Sequence, residues 1–267
     1  MLMGISAGFS QVSFEHRWDM SYDPVTKTVF DTVGGANGLL VGGATISGGV
    51  LTPVNGVNPA GGSGQGVNLT ADAVAGIDGA FSIEVWYTRV GESAYKTLFA
   101  FTGGEGKDWD NYLIAVQKRG GSEQSSAFKW NGIEKLALGA PNAQNQLSQV
   151  ITTFSDGIAS FYLNGVLQST ITDIDPAFQL SSLTTLMGIG GNSPWPDEVL
   201  QGTISDFRIY SGALDDSQIS ALYALGADAT NEQIFAVVPE PEAYAIGMLA
   251  LLALLIYSRS RRVRMAA

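Results

Sequence analysis

Cysteine is absent from the 267 residues, and histidine occurs once, at position 16. Without thiols there is no disulfide framework, no thiolate metal site and no cysteine nucleophile. With a single imidazole there is no histidine cluster for zinc. A Ser-His-Asp triad would have to draw on His16, which sits in "FEHRWDM" with no nucleophile-elbow context. The reading for His16 is therefore packing or a surface hydrogen bond. Bases are scarce as well: 14 against 25 acids, and Arg259, Arg261, Arg262 and Arg264 fall within the last nine positions. Residues 1–238 hold ten bases and 23 acids, a net charge of −13. A surface of that sign repels a phosphate backbone, which excludes nucleic-acid binding.

What is plentiful is glycine, 33 residues of it, set between short runs of β-branched and aromatic residues. "FSIEVWYTRV", "YKTLFAFTGG", "NYLIAVQKRG", "SQVITTFSDGIASFYLNGVLQSTI" and "GTISDFRIYSG" read as strands. In the first, Phe81, Ile83, Val85 and Tyr87 face a core, while Ser82, Glu84, Trp86 and Thr88 face the other way. Ser155-Asp156-Gly157 and Leu163-Asn164-Gly165 supply the positive φ that tight hairpins need. They predict a meander: a strand to Phe154, then 158–163, then 166–171. Only "DDSQISALYALGA" has helical spacing, with Ile219, Leu222, Tyr223 and Leu225 on one side and Asp215 or Asp216 as the cap. These patterns predict an all-β fold, a two-sheet antiparallel sandwich with one short C-terminal helix.

The blocks "HRWDMSYDPVTKTVFDTVGGANGLLVGGATISGGVL", "FSIEVWYT", "FSDGIASFYLNGVLQST" and "LQGTISDFRIYSGALDDSQISALYALG" resemble, in order and spacing, the laminin G-like jelly rolls of the concanavalin A-like lectin and glucanase superfamily. The resemblance implies one jelly-roll domain over residues 14–228. It also implies a structural calcium tying the N-terminal region to the last strand, with Asp206 as the best side chain and Asp31 and Asp19 as partners. Calcium takes oxygen ligands and needs neither His nor Cys. The alternatives are that Asp206 caps a strand edge and that Asp31 makes a turn with Gly34 and Gly35. Glucanases of this superfamily carry a Glu-x-Asp-x-x-Glu strand that supplies a nucleophile and an acid. Here the corresponding strand offers Glu84 alone, which reads as solvated surface, and no catalytic residue is assigned.

Binding suits the scaffold better. Trp109, Trp130 and Trp195 lie in or beside loops rich in Gly, Asn and Pro. There an exposed ring can stack on a sugar while Asp110, Asn111, Asn131 or Asn192 bonds its hydroxyls; the competing use of such rings is to cap the core. Trp18 and Trp86 read as strand residues with a packing role.

The chain has one long apolar run, residues 243–257, and it is uncharged. Fifteen residues at about 1.5 Å each span roughly 22 Å, short of the roughly 30 Å hydrocarbon core. The run is apolar all round, however, and the arginines beyond it snorkel and stay on the cytoplasmic side, so a transmembrane helix is predicted there. Pro239-Glu240-Pro241, the apolar helix and Arg259, Arg261 and Arg262 together resemble the PEP-CTERM sorting signal, over residues 239–264. That resemblance implies export, transient anchoring in the inner membrane, and processing by an exosortase; a simple tail anchor is the alternative. Residues 1–13 read as the remnant of a signal peptide, or as a plain disordered start, and 229–238 as a linker.

Three functions compete. The first is an exported surface or matrix module that binds polysaccharide or glycosylated partners. The second is a structural component of an extracellular polymer layer with no discrete ligand. The third, a glycoside hydrolase or lyase, is disfavoured by the missing carboxylate pair.

Overall fold

Strands whose side chains alternate in polarity are stable only when another layer covers their apolar face. In the computed structural model, which describes residues 12–54, 65–103, 110–119, 123–140, 142–191 and 199–239, two sheets cover each other in this way. The first strands are β1 (Ser13–Trp18), β2 (Tyr22–Asp23), β3 (Thr28–Val29), β4 (Gly38–Leu40), β5 (Thr45–Ser47), β6 (Val50–Thr52) and β7 (Val67–Asn68). Longer ones follow: β8 (Phe81–Arg89), β9 (Thr97–Gly103), β10 (Asn111–Arg119), β11 (Glu123–Trp130), β12 (Ile133–Gly139) and β13 (Leu147–Ser155). The last four are β14 (Ile158–Leu163), β15 (Val166–Ile171), β16 (Leu186–Ile189) and β17 (Gly202–Ser211). One sheet has the order β15-β14-β13-β8-β17-β6-β5, with β1 also paired to β17; the other runs β12-β11-β10-β9-β16-β7-β4-β3-β2. All of these strand pairs are antiparallel.

The predicted meander is β13-β14-β15. Asp156 and Gly157 (φ 50° and 77°) and Asn164 and Gly165 (φ 52° and 75°) form its turns. Two successive positive φ values give the turn twist that matches the strands. Between the sheets lie Ile83, Val85 and Tyr87 of β8, Phe207 and Ile209 of β17, Phe99 and Phe101 of β9, and Phe128 and Phe154. Phe99 meets Phe207 edge-on at 5.5 Å, so the two layers interlock through rings.

A third layer, which the strand pattern does not announce, covers the outer face of the first sheet. It consists of helices α1 (Asp216–Leu225) and α2 (Asn231–Val237). Asp215 caps α1, accepting from the Gln218 amide, and Ile219 and Leu222 are buried under it beside Ile151, Tyr162 and Tyr210. Residues 229–238 are thus not a linker. Thr230 and Gln233 form a capping box for α2, Ile234 and Val238 are buried, and Phe235 meets Phe14 of β1 at 5.3 Å. The folded body also begins earlier than residue 14: Val12 packs on this cluster and Ser13 opens β1. The transmembrane helix predicted over 243–257 lies outside the described residues, and none of the described helices is long and apolar enough to cross a membrane.

Candidate functional site

Trp130 ends β11 at one rim of the sandwich. It shares a face with Phe128, two residues earlier, so its ring continues the core instead of leaving it. The Trp130 ring packs on Phe178 at 5.3 Å, and Phe178 in turn meets Phe128 at 5.4 Å. Asn131 and Gly132, with φ 49° and 81°, turn the chain into β12, where Ile133 stands opposite Trp130 and is 64% exposed. Against this hairpin lies the segment after β15. Together they enclose a pocket of about 490 Å³ lined by Phe128, Trp130, Ile133, Lys135, residues 172–175 and Pro176, a volume typical of small-ligand sites.

Polar groups surround the ring. Lys135 is ion-paired with Asp173. Asn131 Nδ2 donates to Asp175 Oδ2 at 3.3 Å, and the Asn131 amide donates to Asn111 Oδ1 at 2.9 Å. Asp175 also accepts from the Ala177 amide at 2.9 Å, which fixes the loop. The fold therefore brings Trp130, Asn131 and Asn111 together, with Asp110 next in the chain at the start of β10. Trp109, Asn192 and Trp195 fall outside the described residues. Lys135, Asp173, Asp175 and Phe178 are additions that sequence reasoning missed. Asp175-Pro176 marks a turn, but nothing local says that this turn meets β11.

The three aspartates proposed as calcium ligands do not converge. Asp31 makes the turn that was the alternative reading: its Oδ1 and Oδ2 accept from the amides of Arg17, Val33, Gly34 and Ala36, and Oδ2 also from His16 Nδ1 at 2.7 Å. Burial raises its carboxyl, but the His16 bond and the amides of Arg17, Val33 and Ala36 outweigh this and hold it at about 2. Asp19 caps its own turn, accepting from the Ser21 amide and hydroxyl. Asp206 is fully buried between two guanidinium groups: Arg17 Nε and Nη2 and Arg208 Nε and Nη2 all donate to it at 2.5–3.2 Å. No group of three or more His, Asp or Glu side chains suited to a metal occurs among the described residues. A divalent cation does not fit a carboxylate already saturated by two cations of the protein itself, so Asp19, Asp31 and Asp206 do not fit a calcium site.

Glu84 is likewise not solvated surface. It points outward from β8, as the alternation says, but the helices cover that face, and it is fully buried. Its Oε1 accepts from Trp86 Nε1, Gln149 Nε2 and Arg208 Nη1 at 2.7, 2.7 and 3.1 Å, and its Oε2 from the Tyr210 hydroxyl at 2.6 Å. Burial, reinforced by the charge of Glu84, pushes the Tyr210 phenol well above its usual value, so the hydroxyl stays a donor. Glu84, Asp206, Arg17 and Arg208 form a neutral, hydrogen-bonded quartet, the condition under which buried charge is tolerated. Trp86, capped by a stacked Tyr223 at 5.9 Å, and the fully buried Trp18 have the packing roles expected of them.

Of the sorting-signal residues, Pro239 is the last described position, and Glu240, Pro241, Arg259, Arg261 and Arg262 lie beyond it.

Comparison with curated protein sequences finds no match. Among solved structures, domain 4 of AbnA, an extracellular arabinanase from Geobacillus stearothermophilus in complex with arabinotriose, superposes with a TM-score of 0.60 at 17% identity. The match covers 79% of this chain and 98% of that one. Trypanosoma rangeli sialidase gives 0.59 at 15% identity, over 79% of this chain and 32% of the sialidase, so the likeness is to about a third of that enzyme. Residues 61–220 match the Laminin_G_3 family, described as concanavalin A-like lectin/glucanases superfamily. With that match over more than half its length and the two-sheet sandwich just described, the chain belongs to the concanavalin A-like lectin/glucanases superfamily.

Proposed function

We propose that this is an exported surface or extracellular-matrix protein whose sandwich binds carbohydrate, without catalysis, in the pocket beside Trp130. The observation that carries the reading is a partly buried indole held on Phe178 at the mouth of a 490 Å³ pocket, within a fence of Asn131, Lys135, Asp173 and Asp175. A ring backed by the core costs little entropy to present, and its face suits the apolar side of a sugar while amide and carboxylate groups bond the hydroxyls. Lys135 is already neutralised by Asp173, which leaves Asp175 in excess and favours neutral glycans over uronates or sulfated chains. An arabinanase domain in complex with arabinotriose supports a sugar as the ligand class. Hydrolysis is not part of the proposal, because Glu84 is walled off beneath the helices.

The test is a glycan array and titration with the full chain and with Trp130→Ala. The expected result is binding of at least one neutral glycan, weakened roughly tenfold or more in the variant, a loss of about 1.4 kcal/mol. Silence across the array would overturn the reading and favour a structural component of a polymer layer. The tail belongs to the same proposal: Pro239-Glu240-Pro241, the apolar run 243–257 and Arg259, Arg261 and Arg262 serve for anchoring in the inner membrane and release by an exosortase.

A further inference from the structure

We propose that Asn131 is a site of spontaneous modification, its carboxamide passing through a succinimide to a carboxylate as the protein ages, and that this change weakens the pocket beside Trp130. The second half rests on the glycan-binding reading above; the first half stands without it. Asn-Gly is the step at which such chemistry meets least hindrance, because glycine has no Cβ to shield the attacking amide nitrogen. The chain has four such steps, beginning at Asn37, Asn55, Asn131 and Asn164. The Asn55 step lies outside the described residues, and the fold treats the other three differently. Asn37 Oδ1 accepts from the Asp31 amide at 2.9 Å, and Gly38 is buried in β4, paired with Val29, where a methyl would meet Val67 at 2.5 Å. Asn164 is tied down as well. Its Oδ1 accepts from the Gln149 amide and its own amide donates to the Gln149 carbonyl, both at 2.9 Å. Tyr223 of α1 lies against Gly165, 3.1 Å from where a Cβ would stand. Asn131 and Gly132, by contrast, are both exposed at the tip of the β11–β12 hairpin, and nothing lies within 4 Å of a Cβ placed on Gly132. Among the described residues the Asn131 carboxamide is anchored by one long bond, from Nδ2 to Asp175 Oδ2 at 3.3 Å.

An exposed hairpin tip opens locally at small cost, and opening lets the Gly132 nitrogen swing toward the Asn131 side chain. That nitrogen gives up its proton and attacks Cγ of Asn131. The new N–Cγ bond forms, the Cγ–Nδ2 bond breaks, and ammonia leaves with the proton. Water then adds to either carbonyl of the succinimide ring, which leaves aspartate or isoaspartate at position 131. Water is the one co-reactant. The product carries a carboxylate where Nδ2 donated to Asp175, so a hydrogen bond becomes a repulsion between like charges. Lys135 is already neutralised by Asp173 and does not offset it. Isoaspartate also adds a backbone methylene to the turn that sets Trp130 opposite Ile133. Both products therefore disturb the wall of the Trp130 pocket.

The experiment is prolonged incubation of the full chain in mildly alkaline buffer, followed by peptide mass spectrometry that separates aspartate from isoaspartate. In the folded protein Asn131 is expected to convert well before Asn37 and Asn164. In denaturant, where the fold no longer discriminates, the three are expected to convert at similar rates. If Asn131 in the folded protein outlasts the other two or merely keeps pace with them, the proposal is overturned. Affinity is then titrated with the neutral glycan bound most tightly on the array. The aged parent and freshly prepared Asn131→Asp are both expected to bind it roughly two- to tenfold more weakly than the fresh parent. Unchanged affinity in an aged parent whose Asn131 has converted overturns the pocket half. Silence across the array removes that half together with the glycan reading, whereas the mass spectra decide the first half whatever the array shows.

Discussion

Asp31 shows how a single carboxylate organises its surroundings. Its two oxygens hold four amides and His16, and its pKa is depressed to about 2 from an ordinary 3.8. A depressed carboxyl contributes stability that is present above its unfolded pKa and is lost as pH falls through the folded one. The melting temperature of the parent should therefore exceed that of Asp31→Asn by a margin that is constant near neutrality and shrinks between about pH 4 and pH 2. A margin independent of pH over that window would contradict this account; circular dichroism at fixed ionic strength measures it. At this scale the sequence is legible in some places and opaque in others. Trp130, Asn131 and Asn111 can be named from an aromatic beside Asn and Gly. Glu84 and Arg17 are misread or missed, because alternation says which way a side chain points and nothing about whether a further layer covers it. Asp173 and Asp175 escape notice for a different reason: they reach Trp130 only where the edge strands of the two sheets, β15 and β12, come together.

The meander β13-β14-β15 is the element most completely written in local sequence, since Asp-Gly and Asn-Gly fix both turn type and register. Gly157 carries two constraints at once, a φ of 77° and a Cβ direction that would bring a methyl to 2.7 Å from the Ile174 carbonyl oxygen. Gly157→Ala should cost about 1–3 kcal/mol for the positive φ, to which the close approach to the Ile174 carbonyl oxygen adds. Chemical denaturation with an unchanged m-value would register it, and a loss under about 0.5 kcal/mol would show that the hairpin relaxes without penalty. Helix α2 is the opposite case. Its capping box, Thr230 with Gln233, stands in plain view, but seven residues are too few for a helical period to declare itself. Its existence depends on docking Ile234 and Phe235 against β1.

As a whole, the molecule is an acidic body with the chain's densest positive charge at its far end. The two-sheet architecture was readable from strand patterns and turn chemistry together, while the helical cover was only half readable, because α1 was evident and α2 was not. If the tail acts as proposed, cell fractionation should place the full-length form with the inner membrane and a shorter form outside it. Mass spectrometry should find the shorter form ending near Pro239, and loss of the exosortase should leave only the long form. Long form recovered free in the cytosol would sink that reading.

Phe14 rests against Phe235, so the first and last elements of the described residues stand side by side. The described body is accordingly a cassette that begins and ends at one place. It can be spliced into a surface loop of another polypeptide, or its ends joined and the ring opened elsewhere, without prising either sheet apart.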